Sequence, residues 1–333
     1  MTTASYVGLF ERGILRERVR SANDILQSCT LCPRLCRVNR FESPGTRCLT
    51  GALPVVSACH PHFGEEAPLV GRYGSGTIFF AGCNFGCVFC QNWTTSRLLD
   101  AAEVSIDDLA RMMVGLQRAR CHNINLVTPS HMVAQILAAL DRAVPMGLTI
   151  PLVYNSSGYD RVETLRLLDG VVDIYMPDVK LMSPEAGARY AAASDYPDVV
   201  RAAVLEMHRQ VGDLVVEAEA PGLKPGSPTA VGPPVFSGAP GAAAALGTPR
   251  PVAVRGLLVR HLVMPGGVAG TRDVCRFLAR EISRNTYLNL MDQYRPCGDA
   301  YRYPEIARHI TAAEFHEAAR IAQDEGLERV QGV

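Results

Sequence analysis

The sequence predicts an α/β protein whose sheet forms a partial (β/α)6 barrel, preceded by an N-terminal cysteine-rich extension. Two observations carry this prediction. Short apolar runs rich in β-branched residues alternate with stretches of helical periodicity along most of the 333 residues, which favours βαβ units and a parallel sheet. Polar residues gather where several of these runs end, and barrels of this kind carry their chemistry at the carboxyl ends of the strands.

Composition and charge narrow the class of protein. The 33 basic and 33 acidic residues give zero net charge, which offers no support for binding nucleic acid or a membrane surface through bulk charge. No stretch reaches the length of a membrane span. The N-terminal residues lack the apolar core of a signal peptide. We therefore expect the eleven cysteines to ligate metal in the reducing cytoplasm rather than form disulfides.

Residues 1–28 are predicted to form an N-terminal helical segment, because apolar residues recur at helical spacing from residue 8 onward. Residues 29–76 are interpreted as the cysteine-rich extension and a linker. Four cysteines lie within its first twenty residues, and they are Cys29, Cys32, Cys36 and Cys48. Four thiolates suit a tetrahedral zinc site or a second iron–sulfur cluster. A cysteine-rich loop without metal is the alternative.

The rest of the extension carries further polar residues. Cys59, His60 and His62 could add ligands, but Pro61 and a loop-like context indicate surface histidines. Glu65 and Glu66 lie in the glycine-rich stretch 63–76. We interpret them as solvated loop carboxylates, with hydrogen bonding to a ligand as the alternative.

The barrel is expected to span residues 77–333. Its predicted strands cover residues 77–82, 124–128, 148–154, 171–176, 256–264 and 287–291. Its predicted helices cover residues 104–118, 131–143, 162–168, 184–192, 198–211, 272–284, 304–310 and 312–325. Ser105 is the predicted N-cap of the first of these helices.

One segment interrupts the barrel pattern. Residues 218–253 contain eight prolines and six glycines, and such a composition buries too little apolar surface to offset the entropy of ordering. We predict a flexible insertion between a helix and the fifth strand. A functional lid is the alternative.

A three-cysteine loop follows the first predicted strand. Cys83, Cys87 and Cys90 lie there at short spacings, and Gly82 and Gly86 allow the backbone to bend around a bulky group. Three thiolates on a cubane iron–sulfur cluster leave one iron open to another ligand. Buried, inert cysteines are the alternative, but inert cysteines have no reason to gather on such a loop.

This loop, with Phe89 before its last cysteine, is typical of the radical S-adenosylmethionine (SAM) superfamily. The stretches CTLCPRLC, HFGEE, NINLVTPSH, VYNSSGY, DIYMPDVK, RHLVMPG and LMDQY add to it. Together they resemble the uncharacterised family related to pyruvate formate-lyase activating enzyme, over nearly the whole chain except the insertion. The resemblance implies a partial barrel of the radical SAM type with one 4Fe–4S cluster on Cys83, Cys87 and Cys90.

The resemblance also implies a reaction. The reduced cluster cleaves SAM to a 5′-deoxyadenosyl radical, which abstracts hydrogen from an unknown substrate, for which a glycyl radical enzyme is one candidate. Flavodoxin or ferredoxin would supply the electron. The alternative is an iron–sulfur or zinc protein for electron transfer or partner binding without SAM cleavage. An electron carrier, however, needs no polar strand ends in a barrel mouth.

The resemblance assigns residues to SAM. The stretch DIYMPDVK matches the one that holds the methionyl end of SAM in the activating enzymes, which implies this role for Met176, Asp178 and Lys180. The other predicted SAM contacts are Phe89, Asn155 and Ser156. The activating enzymes have a Gly-Gly-Glu-Pro run after the second strand, where this chain has residues 127–131. Further candidates for the substrate or SAM pocket are His131, Arg260, His261, Gln293 and Tyr294. Arg260 and His261 are adjacent in a strand, so one is expected to face the barrel interior and the other to face away.

Overall fold

The computed structural model describes residues 3–97, 100–218 and 250–332. Its strands are β1 (Val55–His62), β2 (Ser75–Phe80), β3 (Ala102–Glu103), β4 (Ile124–Val127), β5 (Leu152–Ser156), β6 (Ile174–Pro177), β7 (Val215–Glu217), β8 (Val252–Leu262), β9 (Tyr287–Met291) and β10 (Arg329–Gln331). Its α-helices are α1 (Ser5–Glu11), α2 (Ile14–Gln27), α3 (Ala67–Val70), α4 (Trp93–Ser96), α5 (Ile106–Arg118), α6 (Val133–Ala143), α7 (Val162–Leu167), α8 (Pro184–Ala191), α9 (Tyr196–Val211), α10 (Thr271–Phe277) and α11 (Ala312–Asp324).

The core of the fold is a mostly parallel sheet in the spatial order β10, β9, β8, β6, β5, β4, β2, β1, β3. The strands from β10 to β2 are parallel to their neighbours, whereas β1 pairs antiparallel with β2. All six predicted strands are present, which confirms the predicted α/β class. The described strands do not close into a ring. Phe79 of β2 and Asn289 of β9 nevertheless line one cavity, so the sheet wraps around it as a partial barrel does.

Helix boundaries follow local sequence signals. The predicted N-cap of α5 is present, because Ser105 Oγ accepts a hydrogen bond from Asp108 N at 3.0 Å and the Asp108 carboxylate reaches back to Ser105 N. Within residues 1–28, α2 packs against α6 on the outside of the sheet. None of the described helices has the length and apolar character needed to cross a membrane.

The helix predicted over residues 304–310 is wrong. This segment forms turns, and tertiary contacts hold it in place. Tyr190 Oη donates a hydrogen bond to Glu305 Oε1 at 2.7 Å, and Tyr294 Oη donates to Ile306 O at 2.7 Å. These contacts to distant tyrosines hold the segment in its turns, so tertiary packing overrides the local pattern here.

The loop-like reading of the region around Pro61 is also wrong, because it belongs to β1. Pro61 is paired with Gly76 of β2, while β3 pairs only with the opposite end of β1. The outer edge at Pro61 therefore has no described strand partner, which is where proline is tolerated in a sheet. Because β1 joins the main sheet, the predicted boundary at residue 77 divides two paired strands.

The predicted insertion over residues 218–253 lies largely outside the described residues. Its flanks are described. Val252 and Ala253 already belong to β8, which begins earlier than predicted. The preceding strand β7 pairs antiparallel with the start of β8, where Glu217 lies opposite Val252. The two ends of the segment therefore meet at the amino end of β8.

Candidate active site

The three-cysteine loop opens onto a cavity of about 560 Å³ at the carboxyl ends of the strands, and Cys83, Cys87 and Cys90 all line it. The bend of the three-cysteine loop depends on glycine. Gly82 has a φ of +78°, and a Cβ at that position would lie 2.2 Å from the carbonyl oxygen of Cys48. Any larger residue would therefore push the loop away from the cysteine-rich extension.

The three thiols of this loop differ in pKa, and a lysine lies close to them. A hydrogen bond from Cys87 lowers the pKa of Cys90 to about 6 and raises the pKa of Cys87. Burial raises the pKa of Cys83, and the positive charge of Lys180 only partly offsets the raised pKa values of Cys83 and Cys87. Thiolate is the form that ligates iron, and a neighbouring cation stabilises it. The donor set and its charge therefore fit a 4Fe–4S cluster held by three cysteines.

Next to the thiols, Asp178 joins two cations. Its Oδ2 accepts a hydrogen bond from Lys180 Nζ at 2.5 Å, and its Oδ1 accepts one from Arg260 Nε at 2.6 Å. Burial alone would raise the pKa of Asp178, but Arg260 and Lys180 outweigh burial and hold this pKa below its usual value. Arg260 Nη2 also donates to Asn155 Oδ1 at 2.8 Å. A fixed carboxylate thus orients the ammonium and guanidinium groups at the cavity wall.

Farther along the cavity, Glu65 and Glu66 are buried, so the prediction that they are solvated is wrong. Glu66 is only 7% exposed, and its Oε1 accepts a hydrogen bond from Asn289 Nδ2 at 3.1 Å and lies 3.5 Å from Arg260 Nη1. Its Oε2 is buried without a hydrogen-bond partner. Glu65 lies 2.8 Å from His62 Nδ1 and accepts a hydrogen bond from Asn125 Nδ2 at 3.0 Å.

A signal in the sequence could have revealed this burial. The two glutamates run directly into Pro68 and Leu69, which are fully or nearly fully buried in α3. An apolar run immediately after a polar loop indicates that the loop is packed against the core rather than solvated. The helix α3 contacts β8 and holds the glutamates inside the barrel.

Seven residues predicted to contact SAM or the substrate lie in the wall of this cavity. They are Phe89, Asn155, Ser156, Asp178, Lys180, Arg260 and Gln293. Ser156 Oγ is engaged within the protein, since it donates to Asp160 Oδ2 at 2.6 Å. The structure therefore brings residues from five separate stretches of the sequence to one site.

Four other predicted residues do not line the cavity. Met176 is fully buried and packs against Val153 and Leu258. Tyr294 is also buried, and its hydroxyl is engaged by the carbonyl oxygen of Ile306. Both side chains therefore have structural contacts, and the placement of the Met176 side chain against SAM is not supported.

The two histidines predicted for the pocket also lie elsewhere. His261 faces away from the barrel interior, where it lies 2.6 Å from Val179 O and 3.0 Å from Thr271 Oγ1, while the adjacent Arg260 faces inward. His131 lies 2.9 Å from Ala81 O and lines a second, smaller cavity beside the extension. The interpretation that His131 faces the substrate is therefore wrong.

Thr128, directly after β4, lines the main cavity in a strained conformation. Its φ is +60°, which is rare for a β-branched residue. The Thr128 N–H donates to Asn155 O at 2.9 Å and so holds β4 and β5 together at their carboxyl ends. Strain of this kind is often found at binding sites.

The four cysteines of the extension line the second cavity together, and all eleven cysteines of the chain are free thiols. Two arginines of the extension bind the loop that carries Cys83 and Cys87. Arg34 Nε donates to Asn84 O at 2.9 Å, and Arg47 Nη2 donates to Gly86 O at 2.8 Å. The second cavity therefore lies directly behind the three-cysteine loop.

A family model and two known proteins match this chain in part. Residues 77–216 match the model of the Radical SAM superfamily. Over 327 residues the chain is 28% identical to the uncharacterized protein MJ0674 of Methanocaldococcus jannaschii, which covers 95% of this chain and 80% of that protein. The crystal structure of HydG, a maturase of the FeFe-hydrogenase, is similar over 94% of this chain at a TM-score of 0.45 and 9% identity, and this chain spans 55% of the HydG chain. The similarity to the Radical SAM superfamily therefore covers residues 77–216, which contain the three-cysteine loop and all or part of four of the parallel strands.

Proposed function

We propose that this chain is a radical SAM enzyme that cleaves SAM reductively and uses the resulting 5′-deoxyadenosyl radical to abstract a hydrogen atom from a substrate. The observation that supports this most directly is a shared cavity. Cys83, Cys87 and Cys90 open onto the same space as the Asp178 and Lys180 pair. A 4Fe–4S cluster on the three thiolates would supply one electron to the sulfonium, whose carbon–sulfur bond then breaks to leave methionine.

The protein's part is to hold SAM and keep water out. Lys180 and Arg260 present donors for the SAM carboxylate, and Asp178 fixes the direction of both. The nearly buried Phe89 adds an apolar surface beside the thiols. Enclosure within the barrel would protect the radical from solvent and from side reactions.

The acidic end of the cavity supports a substrate that donates hydrogen bonds. Glu66 Oε2 has no partner and is buried, so a bound N–H or O–H group would satisfy it. A peptide segment of a glycyl radical enzyme meets this requirement, and we therefore retain an activase-like oxidoreductase as the finer proposal. A flavodoxin or ferredoxin is the proposed electron donor, and the eleven free thiols support a reducing cytoplasmic location.

The test is anaerobic reconstitution with iron and sulfide, followed by reduction with dithionite in the presence of SAM and measurement of 5′-deoxyadenosine. We expect the wild-type protein to form 5′-deoxyadenosine and Cys87→Ala to form none. Cys275→Ala is the matched control, because Cys275 is buried in α10 away from both cysteine groups. A wild-type protein that holds a reducible cluster but forms no 5′-deoxyadenosine would favour an electron-transfer protein instead.

A further inference from the structure

The small cavity behind the three-cysteine loop combines four thiols with a buried cation. Cys29, Cys32, Cys36 and Cys48 line it, and so does Arg40. Arg40 is only 2% exposed, which is unusual for an arginine without an ionic partner.

The contacts of Arg40 leave its charge uncompensated. Its guanidinium donates hydrogen bonds to Gly51 O at 2.7 Å and Thr50 Oγ1 at 2.8 Å, which satisfy donors but carry no negative charge. Its remaining oxygen contacts are to the carbonyl oxygens of Gly51 and His131, and among the described residues no carboxylate forms a salt bridge with it. One neighbouring group that can become an anion is Cys29, whose Sγ lies 3.9 Å from Arg40 Nη1. A buried cation is stabilised by a neighbouring anion, and a metal cluster with net negative charge at these four cysteines would supply one.

Two further buried atoms at this cavity lack partners. His131 and Asn84 both line it, and His131 Nδ1 and Asn84 Oδ1 make no hydrogen bond. The tautomer of His131 follows from its other nitrogen. Ala81 O, 2.9 Å from Nε2, can only accept, so Nε2 carries the proton and Nδ1 holds a free lone pair. Lone-pair nitrogen and thiolate sulfur are both ligands of transition metals.

The spacing of the thiols distinguishes two kinds of metal centre. In the described part of the chain, no three His, Cys, Asp or Glu side chains stand as a single metal ion requires. Within the same residues, Cys83, Cys87 and Cys90 do not form such a group either. In an iron–sulfur cluster each thiolate binds a different iron, so the sulfurs need not converge on one point as they do around zinc.

We propose that Cys29, Cys32, Cys36 and Cys48 hold a second iron–sulfur cluster whose negative charge is balanced by the buried Arg40. His131 Nδ1 is the nitrogen ligand available if one thiolate is replaced. Arg34 lies between Cys32 and Cys36, and Arg47 precedes Cys48, so the arginines that bind the three-cysteine loop are anchored by the ligands of the second centre. The proposal concerns metal content and does not depend on SAM cleavage.

The first experiment removes the other cluster. The variant Cys83→Ala/Cys87→Ala/Cys90→Ala is purified and reconstituted anaerobically, and its iron, sulfide and zinc are measured. We expect about four iron and four sulfide per chain, as for one cubane cluster. Zinc without sulfide, or no metal in the folded variant, would overturn the proposal.

A second experiment covers the case in which the triple variant does not fold. Cys32→Ser in the otherwise unchanged chain should halve the iron and sulfide of the reconstituted protein. Iron equal to that of the wild-type protein would contradict the proposal.

The rate of iron loss tests whether Arg40 balances the charge of the proposed second cluster. Arg40→Met should lose iron to a chelator at least about tenfold faster than the wild-type protein, within the range found for residues that support metal ligands. Arg20→Met, an exposed arginine in α2, is the control and should lose iron at the wild-type rate. Equal rates for all three proteins would exclude Arg40 as the balancing charge.

Discussion

The two cysteine groups differ in what surrounds their sulfurs. The loop with Cys87 opens onto a cavity of about 560 Å³, and its neighbouring cation Lys180 is already paired with Asp178. The extension cysteines face a small cavity, and their cation Arg40 has no described carboxylate partner. A site with paired charges and open space can accept and release a polar molecule. A closed site with an unpaired buried charge is better suited to a permanently bound group. The two proposals made above thus assign SAM turnover to one cysteine group and permanent metal ligation to the other.

The largest predicted effect is on SAM affinity, which should respond to a substitution in the three-cysteine loop and not to one in the extension cysteines. Cys87→Ser should weaken SAM binding by more than about 100-fold, because it removes a proposed ligand of the cluster that SAM would contact, whereas loss of a supporting contact costs about 10–100-fold. Cys32→Ser should leave the affinity within a few-fold of wild type. Anaerobic equilibrium dialysis with labelled SAM measures both. Equal losses in the two variants would show that the groups form one functional unit.

The ion pairs that Asp178 makes in the main cavity can be removed without changing a cysteine. Asp178→Asn leaves Lys180 and Arg260 buried without their shared carboxylate, and we expect a loss of about 3–5 kcal/mol in the free energy of unfolding. Glu281→Gln is the control, because its exposed pair with Arg201 should contribute less than about 1 kcal/mol. Urea unfolding of the apoproteins gives both values. A loss as small as the control's would mean that Asp178 is not the anchor of this site.

Strain in the wall of the open site predicts a gain in stability. Thr128→Gly should raise the free energy of unfolding by about 1 kcal/mol, because glycine adopts a φ of +60° without steric cost. Thr128→Ala keeps a Cβ and should give no such gain. Urea unfolding of the two variants checks the order. If alanine stabilises as much as glycine, backbone strain is not the cause.

A smaller predicted effect is the pH dependence of stability caused by His62, at the end of the main cavity lined by Glu65 and Glu66. The hydrogen bond to Glu65 raises the pKa of His62, so its stabilisation is fully present below the unfolded pKa of about 6.5 and is lost as the pH rises through the folded pKa. His62→Gln should therefore destabilise the protein more at pH 5.5 than at pH 8.5, by less than about 1 kcal/mol since His62 is partly exposed. Unfolding curves at the two pH values test this. A larger cost at pH 8.5 would reverse the assigned sign.

Periodicity and local signals predicted the sheet. The six strands and the capping of α5 by Ser105 depend on residues close in sequence, and these were located correctly. The three-cysteine loop was equally local. Residues whose role depends on distant partners were harder to place. Glu66 meets Arg260 and Asn289 inside the barrel, and although the apolar Pro68 and Leu69 indicate burial, no neighbouring residue identifies those two partners.

Side-chain direction at strand ends was predicted only in part. Alternation along β8 separated Arg260 from His261 correctly. Alternation along a strand does not predict how deep within the barrel a side chain lies. Met176 faces the same side of its sheet as the site but is covered by the core. His131 follows a strand yet packs towards the extension, because a loop is not bound by the strand's period.

The pairing of β7 with the start of β8 has a consequence for how the chain tolerates change. The segment between Glu217 and Val252 begins and ends at one β-ladder, at the amino end of β8. Arg260 lies eight residues further along that strand, about 26 Å away at the rise of a β-strand. The β7–β8 ladder already holds the two ends of this segment together. Doubling the length of such a loop raises the entropic free energy of loop closure by only about 0.6 kcal/mol. We therefore expect a change in the length of this segment, or a reporter domain inserted into it, to cost little folding free energy, because its ends lie at the end of the barrel opposite the thiols.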